Sequence, residues 1–543
     1  MTLFALPGPV LLYVLKGAHF TMPEKKTESR DFLVTGSADG VETAAKKSNS
    51  VYYTSIFVTL ALVLWGLISP ESFGAFANTL FNVLTDYFGW GYMLTMNVFV
   101  AFCIIVALSR FGKVRLGPKD SRPEYSTVSW FAMLFSAGMG VGLVFYGAAE
   151  PLIHFGSQPF GAAPGSIQAA RDAMQISFFH WGLHPWAGYA VIAMPLAYYQ
   201  FRHDAPGLIS SIFIPLVGEK AVRGLFGKVV DVLAIFATLA GITTSLGLGT
   251  LQLNSGVNAI MGLPKSTFIQ VAIIVILALF YTGSAVLGIE KGIKKVADFN
   301  LAVCLSLMAL LFLVGPSLPI INALMTGIGD FMSGLVKESF ALAPYGGPYE
   351  KFLKSWTLYY WAWWIAWAPF VGSFVARISR GRTIAQFVAG VLVVPALGSF
   401  TWFAIFGTSA LHLEVVKGIA ISADVLKDIS VGIFEMYKHY PLGSIMSVAM
   451  VVLITTFFVT SANSATFVLS MYSTHGDLNP PKSKMAVWGV LMAALAVVLL
   501  MTGGLQNLQT ISLTAAPPFS IIMVCACVSL WKMLATDEEQ GIL

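Results

Sequence analysis

The stretch from Trp356 to Phe374, WTLYYWAWWIAWAPFVGSF, holds five tryptophans and no charged side chain. An apolar span is ordinarily filled with Leu, Ile and Val. Here Trp363, Trp364 and Trp367 fall at i, i+1 and i+4, which at about 100° per residue gathers three indoles on one sector of a helix. An indole face attracts a cation that lacks hydrogen-bond donors, such as a quaternary ammonium, by about 0.5 to 2 kcal/mol depending on desolvation. An interfacial aromatic belt is the alternative, but belt residues sit at span ends and this cluster sits mid-span. A second aromatic set, Trp181, Trp186 and Tyr189 in HWGLHPWAGY, falls at i, i+5 and i+8, positions that share one side of a continuous helix. His180 and His184 beside them read as packing residues and not as proton relays.

Other spans carry polar chemistry that a plain anchor does not need. SAGMGVGLVFYGAAEP places Gly138, Gly140 and Gly142 mid-span. Close helix packing explains such glycines, and so does a helix broken at the midplane with freed carbonyls and N–H groups turned to a ligand or cation. TTFFVTSANSATF sets six hydroxyl or amide side chains between Thr455 and Ser464. Return of the hydroxyls to the i−4 carbonyls satisfies them locally, whereas a Na+ site uses them as uncharged oxygen ligands. Thr238, Thr243, Thr244 and Ser245 form a similar set ahead of LGLG. No Lys or Arg lies in the core of a span, and no convergent set of His, Asp or Glu is legible there, which argues against an enzyme.

Composition makes the carriers of these residues membrane helices. The 543 residues are 57 % hydrophobic and 11 % charged, with a mean hydropathy of +0.76. The expected fold class is an all-α membrane protein with 12 transmembrane helices, at 52–69, 88–109, 127–148, 179–200, 230–253, 266–288, 299–319, 355–376, 384–411, 442–471, 485–502 and 508–531. Residues 1–50 form a polar N-terminal segment in which Met22 is a candidate start and 1–21 upstream sequence. Residues 51–126 hold two helices and a loop, and 532–543 a short tail. Residues 320–354 read as an outer loop whose IGDFMSGLVKESFAL segment is amphipathic and suited to lie along the membrane surface. Lys and Arg gather in the loops after the even-numbered spans, among them Arg110, Lys113, Arg202, Lys228, Arg377 and Arg382, which places both termini in the cytoplasm. The net charge of +5 thus reports topology and not a nucleic-acid partner. All four cysteines lie in apolar runs, so no disulfide and no thiolate metal site is implied.

The motifs FGKVRLG, SWFAMLFSAGMGVGLVFYGAAEP, HWGLHPW, TSLGLG, YYWAWWIAWAPFVGSFVARISRGRT and TSANS follow one another over about residues 52–530. Together they resemble the betaine/choline/carnitine transporter family. The resemblance implies a leucine-transporter-like 5+5 inverted repeat, residues 127–319 and 355–531, preceded by two helices, and a homotrimer among the lipids of the cell (inner) membrane. It implies a secondary active symporter that imports glycine betaine or a similar onium zwitterion, with Na+ as coupling ion and no cofactor. Proton-coupled choline uptake and carnitine-type substrate/product antiport are the alternatives within the family, and a channel the alternative outside it. Carried over by position, the substrate site falls on Trp181, Trp186, Tyr189 and Trp364, with Trp363 and Trp367 beside them and Gly140 and Gly142 opposite. Na+ falls on Ser136, Met139, Phe457, Thr460 and Ser461. A second Na+ falls on Thr238 and Phe370, but Ile242 stands where a further threonine belongs. Members that take choline look different at Gly142, with an acidic residue there, which implies a zwitterion preference in this chain. A bare cation buried with no nearby anion costs several kcal/mol. The short acidic end TDEEQGIL differs from the long basic tails of osmotically regulated members and argues against tail-driven osmosensing.

Overall fold

The structure is a computed structural model that describes residues 49–138, 140–288 and 290–543. The readings of residues 1–48 and the placement of Met139 lie outside them. Among the described residues the chain is helical, and its extended pairing is an isolated bridge between Arg115 and Thr383.

Among the described residues ten helices are long and apolar enough to cross a membrane, or eleven if Thr127–Ala137 and Val141–Ser157 form one bent span. The two helices with the aromatic sets, Leu183–Arg202 and Tyr359–Ile378, are not among them. The reason is burial. Every residue from His184 to Tyr199 is buried, and so is every residue from Tyr359 to Ile365. The two helices pack on each other: the Cα of Gly372 lies against Ile192 and the carbonyl of Tyr189. A helix enclosed by protein does not need a lipid-compatible surface, so Trp, Tyr and His are tolerated where Leu would otherwise be required.

Several element bounds differ from the expected ones. The span expected at 88–109 is the second half of a 39-residue helix, Pro70–Leu108, which starts at Pro70 and keeps Phe73, Ala77, Phe81 and Leu84 on one buried stripe. The segment before the fourth span is itself helical, Ile167–His180, capped by the Ser166 hydroxyl accepting from the Ala169 N–H at 3.1 Å. The fourth span is not continuous over 179–200. It stops at Trp181 and restarts at Leu183. The expected outer loop opens with a helix, Ser317–Ser339, which is apolar enough to span and leaves Leu318, Met325, Met332 and Val336 exposed. Its Gly327 packs on Phe178, and Asp330 pairs with Arg171 at 2.5 Å.

The basic loops meet at one end of the bundle. Arg110 pairs with Glu538 at 2.9 Å, Lys119 donates to the Leu543 carbonyl at 2.6 Å, and Arg202 donates to that of Ile542 at 3.0 Å. Arg115 reaches the Gly381 carbonyl at 2.9 Å. The loops after the second, fourth and eighth expected spans therefore share a face with the C-terminal end.

Candidate functional site

The third span breaks where the glycines predicted it. Helices Thr127–Gly138 and Val141–Ser157 meet at an angle of 65°, with Gly140 extended at φ −145° and ψ −177°. Ser136 ends the first half. Gly142 begins the second under the edge of Trp363: a Cβ there would lie 2.4 Å from its Cη2 and 3.3 Å from Cη2 of Trp181. Gly142 is thus glycine because two indoles approach its backbone.

Trp181 sits in the break of the fourth span, where the chain leaves one helix axis for another. The angular argument that put Trp181 beside Trp186 and Tyr189 on a single helix therefore fails for Trp181. Tertiary packing does the grouping instead. Trp181 meets Trp364 edge-to-face at 4.8 Å and Trp363 at 6.3 Å, and Trp363 stacks on Trp364 at 4.8 Å. Trp186 and Tyr189 form their own edge pair at 5.4 Å, with no ring contact to Trp181 or Trp364 among the described residues. Trp364 donates its N–H to the His180 carbonyl at 3.2 Å, whereas Trp363 and Trp367 turn toward Gly241, so the three indoles of the tryptophan-rich helix do not share a face. Trp181, Trp186, Tyr189 and Trp364 keep 4–6 % exposure deep in the bundle, while Tyr359, Tyr360 and Ala187 are at 0 %. All four rings, and Trp363 at 1 %, are thus buried in the protein interior.

The convergent acid and imidazoles judged absent from the sequence are present. Glu150, fully buried, accepts at Oε2 from the Trp181 indole N–H at 2.9 Å and the Tyr360 hydroxyl at 2.6 Å. His180 Nδ1 lies 2.7 Å and His154 Nε2 3.3 Å from its Oε1. His180 is thus part of a buried hydrogen-bonded cluster around an acid, more than a packing residue, while His184 is held by Asn97 and Ser339, both at 3.1 Å. The missed signal was the single carboxylate in GAAEPLIHFG, since an intramembrane acid marks function by default. The neighbouring phenols, Tyr146, Tyr359 and Tyr360, sit among the tryptophans and were missed with it.

The oxygen-rich sets are placed as follows. In the Gly443–Tyr472 helix Thr455, Thr456, Thr460 and Ser464 return their hydroxyls to i−4 carbonyls, and Asn463 donates to Ser284 at 2.8 Å and to the Tyr281 carbonyl at 3.3 Å. Hydrogen bonding satisfies these donors, yet each hydroxyl oxygen keeps lone pairs that a cation can use. Val141 and Phe458 both border Gly249, at 3.0 and 3.1 Å from a Cβ there, so the broken span and the tenth expected span meet on the Leu225–Met261 helix. Phe457 is buried, while Thr460 and Ser461 are partly exposed. Thr238 and Thr243 are buried with hydroxyls that have no partner, Ile242 is buried beside them, and Phe370 packs on Trp367 at 5.5 Å.

This geometry belongs with a sequence relationship. The model of the BCCT family, betaine/carnitine/choline family transporters, matches residues 50–539. The chain is 45 % identical over 496 residues to a glycine betaine transporter of Bacillus subtilis (strain 168), covering 91 % of this chain and 96 % of that one. It is 43 % identical over 495 residues to an ectoine/hydroxyectoine transporter of Virgibacillus pantothenticus, covering 91 % and 98 %. An osmo-dependent choline transporter of Acinetobacter baylyi (strain ATCC 33305 / BD413 / ADP1) is 37 % identical over 499 residues, 90 % of this chain and 71 % of that one. A multi-span helical chain matched from end to end of its described helices in this way belongs to the betaine/carnitine/choline transporter family, a family of transporters and not of enzymes.

Proposed function

We propose that this chain is a secondary active symporter that imports glycine betaine or a similar onium zwitterion with Na+. The observation that carries the reading is the meeting of Trp181 and Trp364, ring centroids 4.8 Å apart, deep in the bundle, with the Trp186–Tyr189 pair on the helix that Trp181 precedes. Aromatic faces suit a diffuse cation with no N–H to donate. Relatives are named for glycine betaine and for ectoine, each a small molecule with a delocalised or shielded cation and a carboxylate, and of the two glycine betaine is the one whose cation has no N–H. The family relationship supports the 5+5 inverted repeat, with Leu183–Arg202 and Tyr359–Ile378 completing the spans and Ser317–Ser339 lying on the outer surface. A homotrimer in the cell membrane with cytoplasmic termini completes the reading.

Na+ enters as the co-substrate. Oxygens of Ser136, Phe457, Thr460 and Ser461 form the first site in this reading, and the unpartnered Thr238 hydroxyl is the remnant of a second that Ile242 leaves incomplete. Moving one charge inward through 100 mV yields about 2.3 kcal/mol, enough for more than tenfold accumulation. Labelled glycine betaine uptake into proteoliposomes tests this: uptake that follows an imposed Na+ gradient is the expected result. Equal uptake in K+ overturns Na+ coupling. A second reading, proton-coupled uptake, is favoured by the buried Glu150–His154–His180 cluster, and uptake driven by a pH gradient in the absence of Na+ would establish it.

A further inference from the structure

We propose that Glu150 is the fixed counter-charge of the bound cation, a carboxylate one ring behind the aromatic site that enriches the Trp181 indole in electron density and orients the onium end of the substrate toward it. The proposal rests on Trp181 belonging to an onium site.

The hydrogen bonds fit an ionised Glu150. An indole N–H is a donor and nothing else, so the Glu150 oxygen that receives Trp181 at 2.9 Å acts as an acceptor. His180 places Nδ1 2.7 Å from Glu150 and Nε2 2.9 Å from the Thr357 hydroxyl, contacts that the tautomer with Nδ1–H satisfies as a neutral ring. His154 has one nitrogen facing Glu150 and a buried Nδ1 with no partner. Protonating that nitrogen would bury an unpaired N–H together with a charge, whereas a neutral ring leaves a bare lone pair. With both rings neutral, as this proposal takes them, the cluster carries one net negative charge. Among the described residues the side chains that face Glu150 at salt-bridge distance are these two imidazoles, and no Lys or Arg reaches it. A net charge enclosed at this depth is costly unless a cation completes it. The adjacent indole marks where that cation sits. Donation of its N–H to an anion polarises the ring toward a more negative face, which strengthens its attraction for an onium. The Tyr360 hydroxyl, 2.6 Å from the same oxygen, ties a second ring of the cluster to the carboxylate, and that ring stacks on Trp364 at 5.7 Å.

In this proposal a bare cation does meet an anion here, Glu150, which the sequence expectation left out. It attracts the onium of choline and of glycine betaine alike, but repels the carboxylate of the latter. Removing the charge must therefore affect choline more.

The test is ligand binding to the purified full chain, read by tryptophan fluorescence, with choline, glycine betaine and 3,3-dimethylbutan-1-ol, the uncharged carbon isostere of choline. Glu150→Gln keeps the shape and the bonds from Trp181 and Tyr360 and, with a tautomer change, the bond to His180; its weaker 3.3 Å contact with His154 is the one it strains. It is expected to weaken choline at least tenfold and glycine betaine less, and to leave the neutral isostere unchanged. Equal weakening of all three ligands would show a merely structural role and overturn the proposal, as would a shift in Na+ dependence without a change in onium affinity. Loss of wild-type binding on treatment with EDTA would make the cluster a metal site and overturn it too. If Glu150→Gln does not fold, Trp181→Phe leaves the carboxylate and removes the N–H link, and the same cation-selective loss is expected, equal loss again being fatal. Trp364→Leu separates the two ideas: normal binding by that variant sinks the onium site itself, whereas loss there with an inert Glu150→Gln sinks only the counter-charge.

Discussion

The indole of Trp363 rests on the backbone of Gly142, so close that a methyl group at that glycine would stand 2.4 Å from Cη2 of the ring. Trp363 is 1 % exposed and has no room to withdraw. The contact links the broken third span directly to the tryptophan-rich helix.

Gly142→Ala is therefore expected to displace Trp363 and to weaken glycine betaine binding, with overpacking costing about 1 to 3 kcal/mol of stability. Combining it with Trp363→Phe, which removes the clashing ring edge, should restore part of the loss. Binding isotherms and melting curves of the two single variants and the double variant check this; strict additivity would show that the two residues do not bear on each other.

Trp364→Leu stays apolar and removes one aromatic face from the cluster together with the N–H bond to the His180 carbonyl. Glycine betaine affinity should fall by about 1 to 2 kcal/mol, roughly five- to thirtyfold, and the melting temperature should fall as well because the smaller side chain leaves a cavity. Unaltered affinity in a folded protein would make the aromatic cluster a packing feature.

Thr460→Ala with Ser461→Ala removes two hydroxyl oxygens and adds no charge. The Thr460 hydroxyl donates within its own helix, at 2.9 and 3.1 Å, and accepts from the Asn300 amide at 3.5 Å, a long bond whose loss should lower stability only slightly. The Na+ concentration for half-maximal uptake should rise, more than the substrate concentration does at saturating Na+. The second site gives the converse case: Ile242→Thr puts a hydroxyl one turn from the unpartnered Thr238 and should steepen the dependence of uptake on Na+, whereas an unchanged slope would show that the region holds no ion.

Arg382 fastens the start of the broken span. It is 5 % exposed, donates to the Tyr125 carbonyl at 2.7 Å and the Thr127 hydroxyl at 3.0 Å, and lies 4.6 Å over the Trp130 ring. Arg382→Ala leaves the Tyr125 carbonyl and Thr127 hydroxyl without these charged bonds and should cost about 2 kcal/mol or more. A melting temperature within error of wild type in detergent would refute this anchoring role.

The sequence by itself determined the class and most of the helices. Fifty-residue stretches with hardly a charge have no soluble solution, and Gly138, Gly140 and Gly142 left two readings open, a break in the span or close packing; the structure has the break at Gly140 and the close packing at Gly142, under Trp363. It also singled out Trp181, Trp186, Tyr189 and Trp364, since an unusual residue type in an apolar run is visible without coordinates. Periodicity assumes that a helix continues, however, and at Trp181–Gly182 it does not, so the grouping of Trp181 with Trp364 was settled by two helices packing. Hydropathy likewise assumes that a span faces lipid, whereas Leu183–Arg202 and Tyr359–Ile378 face protein. Glu150 was in plain view, but its meaning depends on Trp181, His180 and Tyr360, which lie 31, 30 and 210 positions away along the chain. Contacts of that separation leave no period in a sequence. Only the closure of the bundle brings them within hydrogen-bonding distance.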